Sequence, residues 1–403
     1  MSLLAINAGS TSLKFGLFHE QTCERLAGGE IDWACGDRHQ AHLVVRPHNG
    51  VAVRSQVSVP DSASAATCAI QAALDSLRPG SGVSAITAVG HRVVHGGAEF
   101  RASVRIDSKV KAGIGRWSEL APLHNPPALK AIEAAEAALP GKPQVAVFDT
   151  AFYAQLPPRA YLYPVPYDWY REWGIRRFGF HGISHAWCAA RAAELLKREP
   201  AQLRVISCHL GGGCSATAVR GGVAVATTSG FSPLDGLMMG TRCGSLDPGI
   251  LLHLERQQGL TPKDLARALN GSAGLLGVSG VSADLAQIEV AAAQGNERAR
   301  LAFDMFADQV RGAVAGLAAA LGGVDVLTFS DRIGERSAAL RQAVCHGLQF
   351  MGISLDRARN AGARPDADVA DPGSRVRVLV IHTEEELMVA REAALVLRGA
   401  RAG

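Results

Sequence analysis

The feature that most constrains this chain is a strand, turn, strand pattern that occurs twice. A short apolar run at residues 3–6 is followed by Asn7-Ala8-Gly9-Ser10-Thr11-Ser12 and a second apolar run at residues 13–18. Small turn residues between two apolar runs predict a hairpin. The pattern returns about 200 residues later, with a run at 204–208, the turn His209-Leu210-Gly211-Gly212-Gly213-Cys214-Ser215, and a run at 216–219. Two copies of one unit at that separation imply two related halves rather than a short-period array. An unrelated pair joined by a linker is the alternative.

The length, 403 residues, exceeds the size at which a single core keeps growing, and therefore agrees with two domains. Helical periodicity at 63–77, 127–139 and 185–197 alternates with buried-strand runs at 85–89 and 144–148, which makes the class α/β. The Pro-rich aromatic stretch 156–173 breaks the periodicity just after Asp149, so the domains are expected at 1–150 and 151–385. A last strand at 376–381 precedes a helical segment, and its part from about 386 to 403 is expected to pack back on the first half.

Forty-one basic and 37 acidic residues are spread along the chain without a block of like charge, which argues against a nucleic-acid partner. No apolar run reaches the roughly 20 residues of a membrane helix, residues 313–324 included, so no membrane partner is expected. Eight cysteines without a C-x-x-C pair, together with an N-terminus lacking a basic start, point to a cytoplasmic protein without a zinc site or disulfide framework.

Turns built from Gly, Ser and Thr present backbone N–H groups and hydroxyls in a concave arrangement that can cradle phosphate. Either turn alone could be only a tight hairpin, which is the commoner case. Neither a P-loop signature nor a dinucleotide fingerprint occurs. Dense clusters stand elsewhere: Gly90-His91-Arg92-Val93-Val94-His95-Gly96-Gly97, Pro122-Leu123-His124-Asn125-Pro126-Pro127, Phe148-Asp149-Thr150-Ala151-Phe152, Arg176-Arg177-Phe178-Gly179-Phe180-His181-Gly182, Met238-Met239-Gly240-Thr241-Arg242-Cys243-Gly244 and Thr383-Glu384-Glu385-Glu386-Leu387.

These clusters and the Asn7 hairpin resemble, in order and from residue 3 to about 392, the motifs of the acetate and propionate kinase family. The resemblance implies two duplicated ribonuclease-H-like domains of the actin, sugar kinase and Hsp70 type around a central cleft, and a homodimer. It implies reversible, Mg²⁺-dependent phosphoryl transfer from ATP to acetate, giving acetyl phosphate and ADP, with Mn²⁺ as a substitute metal. Catalytic roles fall on Arg92, Asp149, His181 and Arg242, with transition-state support from His124, His181 and Arg242. A guanidinium suits phosphoryl transfer because its planar fork pairs with carboxylate and phosphate oxygens.

Asn7 and Glu385 match the family's magnesium-site positions, beside Asp149. A hard cation that keeps several waters needs only one or two carboxylates. Three glutamates opening a helix also suit the helix dipole without any metal. Arg92, Val94, Leu123, Phe180 and Pro233 match the acetate pocket, and such a pocket discriminates by only about 1–3 kcal/mol per methylene, so propionate is an alternative substrate. Donor phosphates and nucleoside are expected at Ser10, Ser12, Lys14, His209, Gly211, Gly212, Gly213, Asp284, Leu285, Arg332, Ile333 and Gly334.

The chain departs from the family pattern mainly in this donor region. Gly212 replaces an asparagine, Ala286 replaces an arginine, Ser245 replaces an acidic residue, and Asp331 and Arg332 replace two glycines. Weakened or altered nucleotide preference follows as an expectation, extending to other nucleotides or pyrophosphate, because glycines in a nucleotide loop permit close backbone approach. A catalytically silent binding protein on the same scaffold is a further alternative.

Overall fold

β1 (Ser2–Ala8) and β2 (Ser12–His19) pair antiparallel, with Asn7 opposite Lys14, and Gly9 N–H donates to the Ser12 carbonyl at 2.8 Å. The structure, a computed structural model, describes residues 1–9, 12–33, 38–48, 50–77 and 82–399. Ser10 of the expected phosphate turn lies outside the described residues. Contacts divide the chain into two units, Met1–Ala154 with the segment from Glu384 onward, and Gln155–Thr383.

In the first unit, β3 (Arg25–Asp32), β4 (Ala41–Pro47) and β5 (Val53–Val57) extend the antiparallel meander from β2. On the other side of β1, β6 (Ile86–Val93) runs parallel to it, β8 (Gln144–Phe148) runs parallel to β6, and β7 (Val104–Arg105) closes the edge. Every residue of β1 is buried, as expected for a central strand covered on both faces. One face, carrying Leu4, Ile6 and Phe15, packs on the helices Ser62–Asp75 and Asn125–Ala138 through Ala65, Ala69, Ile70, Ala131 and Ala135. The helix Glu385–Leu397 covers the other face: at Gly90 a Cβ would stand 2.8 Å from Val389, so only glycine lets the helix approach β6 this closely.

In the second unit β9 (Arg204–Leu210), β10 (Cys214–Arg220) and β11 (Val223–Thr227) form the antiparallel part. β12 (Val326–Ser330) runs parallel to β9, and the edge pair is β13 (Ala367–Asp368) with β14 (Arg377–Val380), which runs parallel to β12. The run β3-β2-β1-β6-β8 and the run β11-β10-β9-β12-β14 therefore share both order and strand directions. This repeat is the ribonuclease-H-like plan, carried once in each unit. The twelve apolar residues noted at 313–324 include the end of a 25-residue helix, Glu297–Leu321, whose buried Phe303, Phe306, Val310, Val314 and Leu317 recur at helical spacing under the sheet. No helix among the described residues is long and apolar enough to cross a membrane.

The first unit runs on past residue 150 to Ala154, and Glu384 and Glu385 belong with it rather than with the second unit. The reasons are local. Asp149–Tyr153 forms a 3₁₀ turn with Tyr153 buried, Arg101 donates to the Ala154 carbonyl at 2.5 Å, and Glu384 is paired with Arg25.

Candidate active site

In the first unit, strand ends bring together side chains that the sequence scatters. Arg92 stands at the end of β6, Asp149 directly after β8, Asn7 near the end of β1, and Glu385 at the first turn of the last helix. The guanidinium donates from Nη2 to Asp149 Oδ2 at 2.7 Å, from Nη1 to Glu385 Oε2 at 2.9 Å and from Nη1 to Asn7 Oδ1 at 3.3 Å. Asn7 Nδ2 donates to the same Glu385 oxygen at 2.9 Å. The Asp149 side chain is fully buried. Burial, the largest influence, disfavours the Arg92 charge, yet Asp149, Glu385 and Glu386 together hold its pKa above the ordinary arginine value.

Among the described residues no three His, Cys, Asp or Glu side chains are grouped so as to hold a metal. Asn7, Asp149 and Glu385 instead supply an all-oxygen set of one amide and two carboxylates, the hard-donor chemistry that fits a magnesium ion retaining several waters. Lys14 lies across from Asn7 in the β1–β2 ladder, and its neighbour Ser12 opens β2.

The segment after β6 is tied to the helix Asn125–Ala138 by reciprocal bonds: His95 N–H donates to Asn125 Oδ1 at 3.0 Å, and Asn125 Nδ2 donates to the His95 carbonyl at 2.9 Å. This fixes buried Val94 relative to His124, which caps that helix. Leu123, expected in an apolar pocket, is 53% exposed. In the second unit Phe180 is buried and Pro233 is half-buried.

The second unit collects a histidine cluster around the β9–β10 turn. His181 takes a left-handed conformation, φ +54°, at the start of the helix Gly182–Leu196. Non-glycine residues in that region are uncommon and cluster at functional sites. Ser215 Oγ lies 2.8 Å from both His181 Nδ1 and His185 Nε2, and His185 Nδ1 lies 2.8 Å from Ser207 Oγ. His209 stacks on His181 with ring centroids 4.2 Å apart and bonds Ser184 Oγ through Nδ1 at 2.8 Å. Burial, reinforced by His209, pushes the pKa of His185 well down, so that ring is neutral.

Beside them, Arg242 Nη1 donates to the Pro233 carbonyl at 2.6 Å, and the guanidinium forms no ion pair with any described residue. Burial lowers its pKa. A Cβ on Gly213 would meet Arg242 Nη2 at 2.9 Å and His181 Nε2 at 3.0 Å, so glycine is what lets the turn approach both side chains. Gly211 and Gly212 complete the turn, and nothing lies within 4 Å of a Cβ placed on Gly212.

The remaining donor-site positions divide. Leu285 and Ile333 are buried in the core of the unit, and buried Gly334 accepts from Arg341 through its carbonyl at 2.8 Å. Asp284 caps the helix Leu285–Ala293 by accepting from Ala286 N–H at 3.0 Å, and Arg332 Nη2 lies 3.8 Å from its other oxygen.

Three features were missed from sequence. Ser215 and His185 form the relay behind His181, and fully buried Arg341 holds the carbonyls of Gly334 and Glu335 and both the side chain and carbonyl of Asn360. A signal for the first existed: Ser207, His209, Ser215 and Thr217 place polar residues at every second position of two buried strands. Nothing local marks Arg341.

A duplicated α/β fold whose strand ends present arginines, histidines and a glycine turn defines a phosphotransferase. Residues 2–391 match the acetokinase family. The acetate kinase of Cyanothece is 45% identical over 403 residues, covering 97% of each chain. The crystal structure of Porphyromonas gingivalis acetate kinase superposes with a TM-score of 0.87 at 40% identity, covering 98% of this chain and 99% of that one. A propionate kinase from Francisella tularensis gives 0.86 at 33% identity, covering 97% and 98%. The chain belongs to the acetokinase family.

Proposed function

We propose that the chain is a kinase that transfers the terminal phosphoryl group of ATP reversibly to acetate, forming acetyl phosphate and ADP. The observation that carries the reading is the Arg242 guanidinium, half-buried and without a carboxylate among the described residues, beside the Gly213 turn and His181, in a chain that matches the acetokinase family throughout. A carboxylate oxygen attacks the γ-phosphorus while its bond to the β-phosphate oxygen breaks. The protein's task is to position the partners and neutralise the charge spread over the equatorial oxygens.

Arg242 and His181 fit that task. With Ser215 O–H donating to His181 Nδ1, the His181 proton sits on Nε2, the nitrogen nearest the Gly213 turn. Neutral His185 carries one ring proton, and the tautomer this polarity requires donates from Nε2 to Ser215 Oγ while Nδ1 accepts from Ser207 Oγ. Arg92, held by Asp149 and Glu385, fits the acetate carboxylate, with Val94, Leu123, Phe180 and Pro233 assigned to its methyl group. His124 is assigned to support of the phosphoryl group. Magnesium, when bound through Asn7, Asp149 and Glu385, supplies charge neutralisation at the phosphates.

The proposal includes a homodimer and a cytosolic location. The helix Pro248–Gln258 buries none of its residues within the chain and exposes Ile250 and Leu252, which supports self-association and is checked by sedimentation. The seven described cysteines are free thiols, in keeping with a reducing compartment.

Trapping acetyl phosphate as the hydroxamate, with magnesium, acetate and ATP, GTP or pyrophosphate, tests the reading. Product with ATP supports it; no product with any donor refutes it. A second substrate, propionate, is favoured by the likeness to a propionate kinase and is compared with acetate in the same assay.

A further inference from the structure

The short helix Asp331–Arg336 that follows β12 opens with two charges where the family pattern has glycines, and both turn toward residues assigned to the donor. Asp331 adopts φ +62°, the left-handed region that favours glycine, and its carboxylate reaches into the β9–β10 turn. Asp331 Oδ2 lies 3.3 Å from His209 Nε2. The same oxygen is only 1.7 Å from where a Cβ on Gly211 would stand, so the carboxylate already fills the space beside the turn's backbone. Arg332 lies over Asp284 at 3.8 Å.

Magnitudes separate the two contacts. The Arg332–Asp284 pair is long, with side chains 52% and 37% exposed, and exposed pairs of this kind contribute little. The Asp331–His209 contact is shorter, and its side chains are 27% and 7% exposed, where charge is less screened. Asp331 is therefore the residue with consequence. A turn of backbone N–H groups attracts phosphate; a carboxylate seated against it repels the same phosphate and occupies His209.

Resting on the phosphotransferase reading above, we infer that Asp331 is a specificity-determining residue that holds the affinity of the β9–β10 turn for polyphosphate donors down, through the charge of its carboxylate. The segment is held firmly enough for this. Ile333 is buried in the core, and Arg341 anchors the carbonyls of Gly334 and Glu335 at 2.8 and 2.9 Å. A donor phosphate must displace the carboxylate from His209 against that anchoring.

The substitution Asp331→Asn keeps the shape and tolerates the left-handed backbone while removing the charge; Asp331→Gly removes the side chain. Titration calorimetry with Mg·ADP on the intact protein reads the effect without turnover. Asp331→Asn is expected to tighten Mg·ADP binding about tenfold, and Asp331→Gly at least as much. KM for ATP should fall in step while KM for acetate stays within twofold. Unchanged Mg·ADP affinity in both variants overturns the inference, as does weaker binding by Asp331→Asn. Absence of acyl phosphate from the unaltered protein with every donor defeats the kinase reading instead, and the binding comparison still decides the role of Asp331.

Discussion

Arg92 and Arg242 are the same residue type placed in the two units, and their surroundings are opposite. Arg92 is gripped by Asp149, Glu385 and Asn7, and its pKa is raised. Arg242 has a single backbone carbonyl at 2.6 Å and a pKa lowered by burial. A guanidinium buried with its carboxylates is a structural link, because removing it strands the carboxylates in a poor solvent. A half-buried guanidinium without them keeps donors free for an anion, and under the kinase reading proposed above that anion is a phosphoryl group.

The largest effect that could break this contrast is on turnover. Arg242→Ala is expected to lower kcat by about 10³-fold or more while leaving the melting temperature within about 2 °C of its original value, because its removal abolishes a desolvation cost. A loss of turnover under tenfold would mean that Arg242 does not meet the migrating group. Arg92→Ala should cost about 3–5 kcal/mol of stability by urea unfolding, in addition to activity, since the buried Asp149 would lose the guanidinium charge that compensates its own. Adding Asp149→Ala should restore part of that stability; a single variant as stable as the parent would erase the distinction.

A third test uses the buried neutral histidine in the first unit. Burial holds the pKa of His91 down to about 4, against an ordinary 6.5, while its Nε2 bonds Gln144 Oε1 at 2.7 Å. The unfolded chain binds a proton there below about pH 6.5 and the folded protein does not until about pH 4. Stability is therefore full above pH 6.5 and is lost as pH falls through the window between those values, by roughly 2 kcal/mol between pH 7 and pH 5. His91→Gln should flatten the pH dependence of the urea midpoint in that window, and an unaltered slope would count against this assignment.

The smallest expected effect sharpens the comparison within the second unit. Gly212→Asn has room for its side chain and should tighten Mg·ADP binding two- to fivefold by returning an amide donor to the turn. Its melting temperature should not change. A loss of stability would show that the open space beside Gly212 is needed in the folded chain.

Much of the fold could be read locally. The β1–β2 and β9–β10 hairpins rest on period-two apolar runs and small-residue turns, both carried by neighbours in the chain. The long helix Glu297–Leu321 was seen only as an apolar run at its end, because alanines at its C-terminal half blur the 3.6-residue period. Within the site, the resemblance pointed to Leu285 and Ile333, yet both side chains are core residues; a motif position does not tell whether side chain or backbone faces the ligand. Asp331 could be recognised as a departure in sequence, but its partner His209 could not, since the two meet only because β9 and β12 are parallel neighbours.

The order of motifs alone determined the family and the types of residue available to the chemistry. It also determined the two hairpins, since turn chemistry and alternation act over a few residues. Only the tertiary structure decided which charges meet: Arg92 with Asp149 and Glu385, Arg242 with no carboxylate among the described residues, and Asp331 with His209. The physical reason is that Coulomb interactions depend on distance and burial across strands remote in the chain, quantities that neither local propensity nor periodicity encodes.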